Sequence, residues 1–103
     1  MNTLTVTLDW PDPSLSPNAR VDRRALYELK RGARHTGRIL TLEAIGGGPL
    51  PFTKRDKLKL VVVYCPPDER GRDLFDNAPA SAKSLVDGVF DALEVNDRQI
   101  VRV

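Results

Sequence analysis

The sequence predicts a single α/β (α+β) domain in which helices flank a mixed β-sheet, in the order strand, helix, strand, helix, strand. Three observations predict it. Residues 3–10 alternate between apolar and polar, and residues 57–65 (KLKLVVVYC) form an apolar, β-branched run. Two other stretches carry apolar residues at helical spacing. At 103 residues the chain fits one domain, residues 1–103, with a core thin enough that self-association would help it.

The first strand follows from Leu4, Val6, Leu8 and Trp10 on one side, with Thr3, Thr5, Thr7 and Asp9 on the other. The prolines of residues 11–18 (PDPSLSPN) then forbid regular structure. From about Asp22 to Leu42 no proline interrupts, and Leu26, Leu29, Ala33, Leu40 and Ala44 approximate one helical face. Gly32, His35, Thr36 and Gly37 weaken its middle, which predicts a kink or two shorter helices. Gly46-Gly47-Gly48-Pro49 is a stop.

The run over 57–65 ends in residues that are apolar on both faces, as in a central strand covered on both sides. Pro66-Pro67 ends it, and Asp68–Asp76 is a charged loop. A second helix is predicted from about Ala78 to Leu93. Asp76 or Asn77 stands at its amino end, Pro79 in its first turn, and Ala82, Leu85, Val86, Val89, Phe90 and Leu93 on its apolar stripe. After an Asn96-Asp97 turn, Gln99–Val103 reads as the start of a last strand, which either closes the sheet or awaits a partner edge.

A net charge of +2 decides little, but its distribution is uneven. Residues 20–38 hold Arg20, Arg23, Arg24, Lys30, Arg31, Arg34 and Arg38 against Asp22 and Glu28. Residues 73–97 hold Asp73, Asp76, Asp87, Asp91, Glu94 and Asp97 against the basic Lys83. A basic surface beside an acidic patch suits a protein that holds a polyanion and brings metal to it, although two solvated amphipathic helices give the same pattern. One cysteine, Cys65, excludes an internal disulfide and is expected to be a small buried hydrophobe. With His35 as the one histidine, a zinc site of nitrogen and sulfur ligands within one chain is excluded. No signal peptide or membrane-length apolar run is present, so a cytoplasmic protein is expected.

The candidate chemistry lies in residues 70–77 (RGRDLFDN), beyond the carboxyl end of the expected central strand, where open α/β sheets place their sites. Lys83 is seven residues after Asp76, close to two turns, and Asp87 continues that line. Asp97 precedes the next strand. Such carboxylates are hard oxygen ligands suited to Mg²⁺, and a nearby lysine could stabilise charge developing on a phosphate. The competing reading is equally physical: an aspartate at a helix entrance caps it, and Lys83 with Asp87 is an ordinary i, i+4 pair.

Residues 72–77 (RDLFDN), 83–88 (KSLVDG), 91–93 (DAL) and 96–100 (NDRQI), in that order and spacing, resemble the RusA family of Holliday junction resolvases. The family comprises small bacterial and prophage endodeoxyribonucleases of DNA recombination and repair. The front half agrees: a strand ending in Trp10-Pro11, then Ser16-Pro17-Asn18 and a basic helix.

The resemblance implies a homodimeric, Mg²⁺-dependent endonuclease (Mn²⁺ as a substitute) that makes paired incisions in four-way or branched DNA, without a small-molecule cofactor or a membrane. It implies that Asp73, Asp76 and Asp97 hold the metal and that Lys83 assists catalysis. Arg20, Arg23, Arg24, Lys30, Arg31 and Arg72 are candidate phosphate contacts. The chain departs from the family pattern in having both Leu74 and Phe75 between the paired aspartates, and Asn96 where an acid is common. It also ends where the family continues into a closing strand. A branched-DNA-binding module without cleavage is the alternative.

Overall fold

Asp22 begins the ordered frame. Its backbone is extended (φ −65°, ψ 157°) and its side chain accepts a hydrogen bond from the Ala25 backbone N–H at 2.9 Å, capping a helix (α1) over Arg23–Ile45. α1 runs unbroken for 23 residues, about 35 Å at ~1.5 Å per residue, so the helix-weakening residues near its middle do not divide it into two helices. It ends where the glycine run predicts: Gly46 adopts the left-handed conformation (φ 75°), and its N–H donates to the Leu42 carbonyl. A second helix (α2) spans Asn77–Leu93. The computed structural model describes residues 3–15, 20–63, 65 and 77–100.

The core is the contact between these helices. Leu15, Ala82, Leu85, Ala92 and Leu93 are buried, and Thr41 is fully enclosed. The helices meet backbone to backbone. A Cβ on Gly37 would lie 2.1 Å from the Leu85 carbonyl oxygen, and one on Gly88 would lie 2.0 Å from the Arg34 carbonyl oxygen. Only glycine fits at either place. Gly37 thus does not weaken α1 but is where α2 crosses it, and the innermost positions of α1 are Gly37 and Thr41. Leu26, Leu29, Ala33 and Leu40 are half-buried around them, while Ala44 is exposed. The Thr41 hydroxyl donates to the Gly37 carbonyl at 2.7 Å, so the enclosed oxygen is satisfied within α1.

The expected mixed sheet is not formed among the described residues. Among the described residues there is no strand, only one parallel bridge between Leu58 and Ile100, in which the Leu58 N–H donates to the Gln99 carbonyl at 2.6 Å. The strand-helix-strand-helix-strand order gives way, among the described residues, to a pair of packed helices, with non-helical segments before and between them. The alternation of residues 3–10 survives without a ladder: Leu4, Val6, Leu8 and Trp10 are half-buried, and Thr3, Thr5, Thr7 and Asp9 are exposed. The physical reason is that alternation records which face meets the core, whereas a strand also requires a neighbour about 4.8 Å away to complete its hydrogen bonds. Residues 59–63 fare differently again. Leu60 and Val62 are exposed, Val61 is 70% exposed and Val63 78%. Cys65, expected to be buried in that run, is exposed.

Candidate functional site

α2 carries the candidate lysine. It begins at Asn77, which puts Lys83 on its second turn, with the side chain 74% exposed. Lys83 Nζ donates to Asp87 Oδ2 at 3.1 Å, the i, i+4 pair that the spacing allows. The lysine therefore faces solvent with its charge partly matched by a carboxylate one turn on.

Asp97 opens a short 3₁₀ turn over Asp97–Gln99, immediately before the bridged Ile100. A dense set of hydrogen bonds fixes that turn. The Gln99 amide donates to the Thr53 and Asp56 carbonyls at 2.8 and 3.0 Å, and its oxygen accepts from the Asn96 N–H at 3.0 Å. The Asn96 side chain in turn accepts from the Arg98 N–H at 3.0 Å. This ties the acidic turn to the loop over 53–56, where the Asp56 carboxylate accepts from the Thr53 N–H at 2.8 Å. A hollow of about 430 Å³ lies beside it, lined by Lys54, Glu94, Asn96, Arg98 and Gln99. Two cations, two carboxamides and the Glu94 carboxylate thus line one hollow, and of these Lys54 and Arg98 are groups that a phosphate could use.

Asp73, Asp76 and Arg72 lie outside the described residues, as does the Asp97 side chain. Among the described residues, no group of three histidine, cysteine or carboxylate side chains could hold a metal ion. The full carboxylate set is a matter of sequence: Asp73, Asp76 and Asp97 would supply hard oxygen donors of the kind Mg²⁺ takes.

Of the candidate phosphate contacts, Arg20, Arg23, Arg24, Lys30 and Arg31 are all exposed and make no ion pair among the described residues. Arg34 is different. Its guanidinium grips Asp91 with two parallel hydrogen bonds, Nε to Oδ2 at 2.5 Å and Nη2 to Oδ1 at 2.8 Å, bridging α1 to α2. The Arg34 bonds, followed by its charge and that of Arg38, hold the Asp91 carboxyl below the usual carboxylate range despite some desolvation. Asp91 and Gln99 both belong to segments that carry the family resemblance, and each has a structural task here. Sequence reasoning missed both tasks. For Asp91 the signal was too distant, since Arg34 stands 57 residues away.

A cleft of about 590 Å³ lies on another side of α1, with Asp9, Asp12 and Glu28 along it and Trp10, Leu15 and Leu29 among its apolar lining. Trp10 thus packs against the helices as half-buried lining rather than as core. Among the described residues no helix is long and apolar enough to cross a membrane.

No family model matches the chain, and no solved structure matches it. The chain is 34% identical over 97 residues to a protein of Xylella fastidiosa (strain Temecula1 / ATCC 700964) described as uncharacterized. That match covers 94% of this chain and 62% of the relative, so the chain spans less than two thirds of its relative's length.

Proposed function

We propose that the protein is a metal-dependent endodeoxyribonuclease of the RusA type that cuts four-way or branched DNA. The observation that carries the reading is the ordered run of Arg72, Asp73, Asp76, Lys83 and Asp97 at the family's spacing. The helical geometry supports it, because Lys83 is exposed on the second turn of α2 and the turn bearing Asp97 is anchored by Gln99. In this reading Asp73, Asp76 and Asp97 bind Mg²⁺, which supplies Lewis-acid stabilisation of the attacked phosphate when bound. Lys83 Nζ offers a cation to the same developing charge, and releasing it from Asp87 costs little because an exposed pair of this kind is weak. Arg72 and the exposed arginines of α1 hold the flanking phosphates. The exposed apolar residues 60–63 supply a surface for the homodimer that paired incision of a symmetric junction requires.

Leu74 and Phe75 between the paired aspartates, and Asn96 in place of an acid, favour a second reading, a branched-DNA-binding module that does not cut. One experiment separates them. The protein is incubated with a synthetic four-way junction in Mg²⁺ and in EDTA, beside Asp76→Asn. Paired nicks that need metal and vanish in the variant are expected. Tight junction binding with no nicks selects the binding module, and neither binding nor nicks overturns both readings.

A further inference from the structure

We propose that the outward face of α1 is a nucleic-acid contact surface, in which Arg24, Arg31 and Arg38 grip the sugar–phosphate backbone of a DNA strand and Tyr27 stacks on an unstacked base. The inference rests on the DNA-directed reading above and deepens it by choosing among the basic residues.

The choice comes from the packing of α1. One side of the helix is closed by α2 at Gly37 and Thr41. A second side, with Ala25, Leu29, Gly32 and Ala33, borders the cleft that α1 shares with Asp9–Asp12 and Leu15. The remaining face carries Arg24, Arg31 and Arg38, spaced by seven residues and therefore about two turns and ~10 Å apart along the axis. Successive members drift by only about 20° per step, so the three side chains form one line. All three side chains are exposed and make no hydrogen bond or ion pair among the described residues, although the Arg38 charge reaches Asp91. Tyr27, 64% exposed, stands between the first two, and exposed His35 between the last two. Arg34 borders the line but is committed to Asp91.

Three arginines in a row make a polyanion contact, and an aromatic ring among them adds what a plain charged face lacks. Bases offer a flat surface for stacking, whereas phosphate headgroups and acidic side chains do not. Unstacked bases occur at the branch points of the proposed substrate and along single strands. α1 holds six Lys or Arg against Glu28 and Glu43; Glu28, four residues after Arg24 and three before Arg31, flanks the line on the side of the cleft it helps to line. The occupant is therefore a DNA strand.

The test measures binding of the full chain, in EDTA, to a labelled four-way junction and a labelled single strand across a salt series. The Arg24→Gln/Arg31→Gln/Arg38→Gln variant is compared with Arg55→Gln/Lys57→Gln/Lys59→Gln, which removes the same charge at exposed positions elsewhere on the surface. The first variant is expected to lower affinity on the order of a hundredfold and the log–log salt slope by about 2–3, at an unchanged melting temperature, and the second to do much less. Tyr27→Ala should lower single-strand affinity about tenfold while Tyr27→Phe keeps it. Equal losses in the two triple variants overturn the proposal, as does stripe-dependent binding to anionic phospholipid vesicles or polyglutamate that is tighter than to DNA. Wild-type incision in Mg²⁺ is read in parallel. Stripe-dependent binding without incision sinks the nuclease reading alone, and incision with stripe-independent binding sinks this proposal alone.

Discussion

The two helices and the two extended segments show equally clear periodicity in the sequence, yet only the helices become regular structure. α1 closes its hydrogen bonds within itself, with Asp22 and Gly46 finishing its ends. Residues 3–10 and 57–65 depend on neighbours for theirs, and among the described residues only the Leu58–Ile100 bridge is made. The first segment still half-buries its apolar side. The second leaves Val61 and Val63 in solvent. Periodicity thus identifies a face; it does not identify what covers the face.

The sharpest way to break this contrast is at the helix crossing. Gly88→Ala or Gly37→Ala drives a Cβ into backbone oxygen that no rotamer change can move. Each is expected to cost about 3 kcal/mol or more, read as a collapse of the thermal transition. Gly32 is the matched control within α1, since nothing lies within 4 Å of its Cβ position. Gly32→Ala should raise stability by about 0.5–1 kcal/mol, because alanine is the better helix former. Similar losses at Gly32 and Gly37 would show that the crossing is not where α1 is constrained.

A smaller effect is expected at the bridge between the helices. The folded-state pKa of Asp91 lies below its ordinary value, so the bridge to Arg34 contributes fully above the usual carboxylate range and is lost as pH falls through the depressed value. Asp91→Asn should therefore lower the melting temperature modestly at neutral pH, with the difference from wild type closing in acid. A constant difference across pH would place the effect in packing instead. The smallest effect belongs to the extended run. Val63→Lys should change stability by no more than about 0.5 kcal/mol, because the side chain it replaces is already solvated. A loss of several kcal/mol would mean that this run is covered after all.

The helices were legible because their determinants are local: the spacing of Leu85, Val89 and Leu93, the stop at Gly46, and the i, i+4 meeting of Lys83 with Asp87. The crossing was not legible. Gly37 reads as a helix-weakening residue until Leu85, 48 positions away, is brought against it, and Gly88 meets Arg34 across 54 positions. A separation of 57 residues likewise hid the pairing of Arg34 with Asp91. At the candidate site the sequence named Lys83 and Asp97, and the structure adds the hydrogen bonds that fix the Asp97 turn. The sheet was overread because apolar alternation and β-branched residues specify a face suited to packing and not the partner that packs on it.

Amide hydrogen exchange tests the central contrast most directly. Slow exchange is expected through the interior of α1 and α2, deepest around Gly37–Thr41 and Leu85–Gly88, with fast exchange over residues 4–9 and 59–63. Protection over 59–63 matching that of the helices, at concentrations where the protein is monomeric, would show a paired strand there and contradict the account.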